Sequence, residues 1–439
     1  MHTLEQLRSG ALAGTTRLDL SGGLTEFPRE ILDLADTLEV LNLTGNQLSA
    51  LPTDLSRLRK LRILFCSENR FTEVPAVLGQ CPELSMVGFK ANQIQTLPGA
   101  ALPPKLRWLI LTDNQLQELP AEIGNCPELQ KLMLAGNQLT ALPEALRHCH
   151  RLELLRLAAN RLPELPAWLL ALPRLTWLAY AGNPFSEAAQ TQAETQHPIR
   201  EIDWAELELG RRLGEGASGV ISQARWQPGN APAQEVAVKV FKGAVTSDGL
   251  PHSEMVACIS AGAHPNLTTV DGKIHAHPLK AEGLVLELIP PEFRILAGPP
   301  SFETCTRDVY APGTSFSLGT ALRIARGVAS AAAHLHQRGI LHGDLYAHNI
   351  LTTPAGAARL SDFGAASFFA PSSALAPGLQ RLEVRAFGCL LEELLAHCEA
   401  GEADAEAFQK LQELQQRCVS SPGEVRPLFA EVERELAGL

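Results

Sequence analysis

The chain has 439 residues, 45% of them hydrophobic and 19% charged, with 37 basic against 48 acidic side chains. That length allows roughly two to four domains with sizeable cores, and the apolar share is too high for a disordered chain. A net charge of −11 argues against a nucleic-acid binder, because neutralising phosphates needs a basic face. The opening Met1-His2-Thr3-Leu4-Glu5-Gln6-Leu7-Arg8 has no uninterrupted apolar core of the secretory kind. No run of about 18 apolar residues follows anywhere, so no membrane-spanning helix is expected. Nine cysteines, an odd count with no Cys-x-x-Cys pair, argue against disulfides and structural zinc and for a reducing, cytoplasmic setting.

After a short cap over residues 1–14, the sequence repeats with a period of 23 residues that slips once to 22. Copies start at Leu38, Leu61, Leu84, Leu106, Leu129, Leu152 and Leu175, with a worn first copy near Thr15. Each reads approximately Leu-x-x-Leu-x-Leu-x-x-Asn-x-Leu-x-x-Leu-Pro, with the asparagine at Asn46, Asn69, Asn92, Asn114, Asn137, Asn160 and Asn183. This is the leucine-rich repeat pattern, and it predicts an α/β horseshoe solenoid of parallel strands over residues 15–185. One turn cannot bury its own leucines, so stacked turns must share an interior. The asparagine amide offers both donor and acceptor where the chain leaves the strand. Cys81, Cys126 and Cys149 share a column with Leu58 and Leu172, which predicts buried packing for these thiols.

Strand alternation turns two columns toward the concave face. One reads Val40, Ile63, Met86, Trp108, Lys131, Leu154, Trp177, and the other Asn42, Phe65, Gly88, Ile110, Met133, Arg156, Ala179. Much of this face is apolar, which predicts a protein partner surface formed by Phe65, Met86, Trp108, Ile110, Met133 and Trp177, with cover by the second domain as the alternative. A polar stretch then runs on from Ser186, and residues 186–206 read as a linker to a second domain over 207–439.

That second part opens with Leu213-Gly214-Glu215-Gly216-Ala217-Ser218-Gly219-Val220-Ile221. A lone Gly-x-Gly-x-x-Gly is also found in dinucleotide-binding folds, where the glycines open a helix. Here strand-like alternation follows, and a further strand ends at Val236-Ala237-Val238-Lys239. Glu254, then Leu284-Val285-Leu286-Glu287-Leu288, His342-Gly343-Asp344-Leu345-Tyr346-Ala347-His348-Asn349, Asp362-Phe363-Gly364, Glu383-Val384-Arg385-Ala386-Phe387-Gly388 and Arg426-Pro427 follow in order. This ordered set resembles a eukaryotic-type protein kinase domain, a bilobal α+β fold.

The resemblance implies roles for these residues. Backbone amides from Gly214 to Gly219, Gly216 among them, would cover the ATP phosphates, and Leu213 and Ile221 would flank the nucleotide. Lys239 would hold the α- and β-phosphates while paired with Glu254, and Asp344 would be the catalytic base. Asn349 and Asp362 would hold Mg2+, whose preference is for hard oxygen ligands. Leu286 would line the adenine pocket, and backbone groups from Glu287 to Ile289 would read the base. The implied activity is transfer of the γ-phosphoryl group of ATP to Ser/Thr hydroxyls, with the repeats recruiting the protein substrate. Alternatives are a pseudokinase scaffold and a small-molecule kinase.

Three departures from the family pattern bear on that activity. Gly343 stands where the family keeps an arginine, and Tyr346 and His348 stand where it places a lysine or arginine. A protonated His348 is the expected substitute cation. Between Gly364 and Glu383 the chain is short, Ala376-Pro377-Gly378 replaces Ala-Pro-Glu, and Arg426 is expected to lack its usual acidic partner. A helix of the large lobe is expected to be missing between Leu394 and Val425, which would reduce the substrate platform. His334, His336, His342 and His348 are read as structural rather than metal-binding, and Ser367, Ser372 and Ser373 as possible modification sites.

Overall fold

Buried asparagines set the geometry of the N-terminal turns. The Asn137 side-chain oxygen accepts from the Leu116 amide at 3.0 Å, and its amide donates to the Leu111 and Leu134 carbonyls at 2.8 and 3.0 Å. Asn160, one period on, and Asn46, four copies earlier, repeat this arrangement. Each asparagine thus satisfies backbone groups of two successive turns that are shut off from water. In this computed structural model every residue is described except Met1, Ala217, Asn230, Gly243, Ala244, Ser247, Ala400, Glu402 and Ala403. The chain forms two compact units, Met1–Leu175 and Thr176–Leu439.

The first unit begins with helix α1 (Leu4–Arg8), held by a capping box at Thr3. Strands β1 (Arg17–Asp19), β2 (Val40–Asn42), β3 (Ile63–Phe65), β4 (Met86–Gly88), β5 (Trp108–Ile110), β6 (Lys131–Met133) and β7 (Leu154–Arg156) pair in parallel. The register joins Val40, Ile63, Met86, Trp108, Lys131 and Leu154 into one row, the column read from the repeat. Central residues Leu41, Leu64, Leu109, Leu132 and Leu155 point inward and are buried. Short 3-10 segments return the chain, most of them entered through a proline, as at Pro75, Pro120 and Pro143. Cys81, Cys126 and Cys149 end three of these segments, and burial pushes their thiols up to about 11, 11 and 12. They pack as small apolar groups.

Of the six residues expected to form a partner surface, three need correction. Met86, between Ile63 and Trp108 in the register, and Met133, between Ile110 and Arg156, are buried. Trp177 is 2% exposed, and Tyr346 covers its indole. Phe65, Trp108 and Ile110 are half-buried, and the Lys131 ammonium lies 4.3 Å over the Trp108 ring.

The second unit starts with the strand of the last repeat, β8 (Trp177–Ala179). Residues 186–206, expected as a linker, carry regular structure. Helix α2 (Pro184–Gln196) begins at a capping box between Asn183 and Ser186, with proline in its first turn, and β9 (Glu201–Asp203) follows. Strands β10 (Leu207–Glu215), β11 (Gly219–Trp226), β12 (Gln234–Phe241), β13 (Val270–His275) and β14 (Gly283–Glu287) form a sheet in the order β10-β11-β12-β14-β13-β9. Its neighbours are antiparallel except β9, which adds in parallel to β13. Alternation along β12 sends Val236 and Val238 into a core with Ile202, Leu207, Trp226, Ile274 and Val285. Lys239 therefore lies on the opposite face, toward helix α3 (Pro251–Ala261).

The larger lobe is helical. Helix α4 (Leu318–Gln337) is capped by Ser317, whose hydroxyl accepts from the Thr320 amide at 3.2 Å. Helices α5 (Ala376–Ala396), α6 (Ala405–Cys418) and α7 (Phe429–Ala437) complete the lobe among the described residues. Ala376-Pro377-Gly378 is the first turn of α5, so the chain passes within eleven residues from Phe363-Gly364 into the helix that carries Glu383. Arg426 is buried, donating to the Ser420 and Arg381 carbonyls at 2.8 and 3.3 Å.

Candidate active site

The site is assembled from the sheet, α3 and two loops of the helical lobe. Lys239 pairs with Ile221 on one side and Leu284 on the other, so it projects from a central strand. Its ammonium forms an ion pair with the Glu254 carboxylate in the first turn of α3. Both are buried, Lys239 at 8% and Glu254 at 3% exposure. Burial works against the Lys239 charge, but the charges of Glu254 and Asp362 and the Glu254 hydrogen bond outweigh it and raise the ammonium above its ordinary value.

The glycine turn between β10 and β11 is closed by the Gly216 amide donating to the Gly219 carbonyl at 3.0 Å. Its glycines divide into two kinds. A Cβ on Gly219 would lie 2.5 Å from the Val240 carbonyl oxygen, so close strand packing dictates that residue. A Cβ on Gly214 or Gly216 would meet nothing within 4 Å. Nothing in the chain itself calls for glycine there, whereas a backbone meant to approach phosphate oxygens does. Leu213 is exposed at this edge, and Ile221 is half-buried. Ala217, within this flap, lies outside the described residues.

The Asp344 loop runs between two short strands, Ile340–Leu341 and Ile350–Thr352. The Asp344 amide donates to His342 Nδ1 at 3.3 Å, and the His342 Nε2 proton goes to the Ser361 carbonyl at 3.1 Å. The Asn349 amide donates to the Asp344 carbonyl at 2.9 Å and to its carboxylate at 2.8 Å. Asn349 Oδ1 is left as an acceptor. Ser361 donates from both its amide and its hydroxyl to the Asn349 carbonyl, at 2.9 Å each. Asn349 is thereby tied to the segment that carries Asp362. Asp362 is exposed with φ of +60°, a left-handed backbone held by its own acceptance of the Gly364 amide at 3.1 Å. Phe363 is buried against the His342 ring, with centroids 5.2 Å apart.

Gly343 has φ of +74°, and a Cβ there would lie 2.5 Å from the Ala365 carbonyl oxygen and 2.8 Å from that of Leu178. Only glycine fits. Its amide donates to Glu383 at 2.7 Å, and the same carboxylate accepts the His336 Nε2 proton at 2.7 Å. Burial pushes the Glu383 carboxyl up. The His336 hydrogen bond, the charges of His336 and His342 and the Gly343 amide outweigh it and hold the carboxyl below its usual range.

His348 has a partner that sequence reasoning missed. Asp308, whose side chain is buried, accepts from the His348 amide at 2.8 Å and from its Nδ1 at 2.7 Å. Forty residues of separation and no flanking pattern conceal this pair in the sequence. Burial works against a charge on His348, but the Asp308 hydrogen bond and the charges of Asp308, Asp344 and Asp362 outweigh it and raise the imidazole above its ordinary value. The other histidines of the cluster have structural partners, with His334 on the Ala261 carbonyl at 2.7 Å. Ser367 is buried with its hydroxyl accepting from the Tyr180 amide at 2.9 Å, which removes it from the modifiable serines. Ser372 is exposed.

Leu286 and Glu287 end β14 at the edge between the lobes, with Ile289 just beyond. The Glu287 side chain pairs with Arg359 and accepts from the Thr269 amide at 2.8 Å, and its own amide donates to the Thr269 carbonyl at 3.0 Å. These contacts fix the segment. The donor set suits a divalent cation bound with nucleotide: Asn349 Oδ1 and the Asp362 carboxylate are hard oxygens, and Mg2+ ordinarily takes few protein ligands and completes its shell with phosphates and water.

A lysine–glutamate pair behind a glycine flap, facing an aspartate–asparagine loop, is the arrangement of a protein kinase domain. Residues 207–385 match the family model for protein tyrosine and serine/threonine kinases, and residues 104–162 and 37–58 match leucine-rich repeat models. The chain thus joins an N-terminal leucine-rich repeat array to a C-terminal protein kinase domain. It is 33% identical over 205 residues to a probable leucine-rich repeat receptor-like protein kinase of Arabidopsis thaliana, covering 42% of this chain and 28% of that protein. It is 26% identical over 289 residues to tyrosine-protein kinase Srms of Homo sapiens, covering 57% and 52%. It is 28% identical over 168 residues to the probable serine/threonine-protein kinase gdt4 of Dictyostelium discoideum, covering 37% and 9%. The chain spans about half or less of the length of these relatives. Among the described residues no helix is long and apolar enough to cross a membrane.

Proposed function

We propose that the protein transfers the γ-phosphoryl group of ATP to serine or threonine hydroxyls of a protein. The buried Lys239–Glu254 pair supports this reading most, because ionising both groups away from water is costly unless they serve a charged ligand. Lys239 binds the α- and β-phosphates, and the Gly214–Gly216 backbone lies over them. Asp344 orients the acceptor hydroxyl and accepts its proton, while Asn349 and Asp362 hold Mg2+, which neutralises phosphate charge when bound. His348, held against Asp308 in its cationic form, supplies the positive charge that Tyr346 cannot. A relative in Dictyostelium named as a probable serine/threonine kinase accords with the acceptor class. On this reading the repeats recruit the protein substrate through the face that carries Phe65, Trp108 and Ile110, and the short Gly364–Glu383 stretch leaves the lobe itself a reduced platform.

The test is incubation with γ-labelled ATP and magnesium, with and without protein substrates, beside Asp362→Ala. The expected result is label on phosphoserine or phosphothreonine with the unaltered protein alone. Nucleotide binding without transfer would make the protein a pseudokinase scaffold, and label confined to small molecules would make it a small-molecule kinase.

A further inference from the structure

The catalytic loop rests on a side chain that belongs to the last repeat. Trp177 on β8 and Tyr346, two residues after Asp344, stack face to face with centroids 4.1 Å apart and planes 9° from parallel. The Trp177 indole N–H donates to the Leu345 carbonyl at 3.1 Å, so the loop is gripped by both a ring and its backbone. Both side chains are almost wholly buried, Trp177 at 2% and Tyr346 at 4% exposure. The stack continues to the His348 ring, 4.9 Å from Tyr346, and His348 is fixed in turn by Asp308. One residue along β8, the Leu178 carbonyl fills the space that a side chain at 343 would need, and at Tyr180 the backbone amide bonds Ser367 beyond Phe363-Gly364. Helix α2 extends the same support to α3, where the Ser253 hydroxyl donates to Gln190 at 3.0 Å, next to Glu254 in sequence.

We propose that Trp177 is a positioning residue for the phosphoryl-transfer site, and that the segment from β8 through α2 is a built-in clamp holding the Asp344 loop and α3 in their working arrangement. Trp177 touches no reacting atom. It acts by fixing Leu345 and Tyr346, which flank and follow Asp344, so that the aspartate and the Asn349 amide bonded to it keep one orientation. A domain cut at the expected linker would lose this support, because the clamp lies wholly before residue 197. The inference rests on the kinase reading for its effect on rate but not for its effect on the loop.

The experiment compares the full-length protein with Trp177→Ala and Trp177→Phe. Amide hydrogen exchange is followed over residues 343–349, 362–368 and the β10–β12 sheet, and kcat and KM for ATP are measured with labelled nucleotide. The alanine protein should exchange residues 343–349 at least about tenfold faster while the sheet is unchanged, the signature of local rather than global opening. Its kcat should fall about 10²-fold, the scale of a small misplacement at a reacting centre, with KM for ATP little altered. The phenylalanine protein, which keeps the stack and loses the N–H donor, should recover most of the rate. Unchanged exchange at 343–349 in Trp177→Ala overturns the proposal, as does a uniform rise across the whole unit. If the alanine protein does not fold, Trp177→Leu, which loses both the stack and the N–H donor but keeps an apolar side chain, decides: faster exchange confined to 343–349 supports the clamp, and none overturns it. Absence of transfer by the unaltered protein would sink the kinase reading and leave the exchange result to judge the clamp.

Discussion

Asn137 and Asp344 are both loop residues held by short hydrogen bonds, yet their partners come from very different places. Asn137 bonds backbone groups 3, 21 and 26 residues away, all within its own turn or the one before. Around Asp344 the partners span the second unit. Asn349 is five residues on, the Gly343 amide finds Glu383 forty residues on, and the Leu345 carbonyl receives the Trp177 indole across 168 residues. The array repeats one solution at a fixed interval, so an error in one turn has a local price in stability. The catalytic loop is solved once, from distant elements, so an error there changes geometry and hence rate.

That contrast can be broken by experiment, beginning with the largest expected effect. Asp344→Asn should reduce phosphotransfer by about 10³-fold, the range of a lost general base, while nucleotide affinity stays near that of the unaltered protein. Undiminished transfer would remove Asp344 from its role. Asn137→Ala should cost about 2 kcal/mol of stability, because the Leu116 amide loses its partner in the interior while the Leu111 and Leu134 carbonyls keep only the Asn114 and Asn160 amides. Denaturant unfolding of the repeat unit measures this, and a midpoint unmoved by the substitution would show that water or backbone shifts replace the side chain.

The next effect is smaller and depends on pH. His348 sits above its ordinary value of 6.5, so the charge it presents is complete at lower pH and is lost as pH rises through the raised value. The stability from its pair with Asp308 follows the same direction, present below about pH 6.5 and declining above it. His348→Ala should lower kcat about tenfold, as expected for one electrostatic contact near the transferred group, and should flatten the alkaline limb of the rate profile. An identical profile in the variant would assign that limb elsewhere. Tyr180→Phe is the mildest change. The Tyr180 hydroxyl is buried and has no hydrogen-bond partner among the described residues, so its removal should raise stability by about 1 kcal/mol. Thermal melting with an unchanged or lower midpoint would point to a hidden partner.

Much of the molecule was legible because its patterns are local or ordered. The 23-residue period predicted the strand rows that the register shows, and the seven asparagines announced their own hydrogen bonds. The kinase-like motifs pointed to Lys239, Glu254, Asp344, Asn349 and Asp362 as candidate site residues by their order along the chain. Trp177 shows where this reading fails. Its place in a repeat column predicts an outward aromatic on a binding face, and nothing nearby in sequence signals that Tyr346 covers it. The polar composition of residues 186–206 likewise read as a linker, although Asn183 and Pro184 are helix-start signals that in hindsight mark α2.

Periodicity by itself determined that the chain opens with a repeat array, because a repeated turn is a property of spacing, and the order of the later motifs carried the resemblance to a kinase domain. Only the tertiary structure decided that Asp308 holds His348, that Gly343 is glycine because two carbonyls crowd it, and that Trp177 packs on the Asp344 loop. Those contacts join residues tens to hundreds of positions apart, and a single sequence holds no record of which distant side chains share a space.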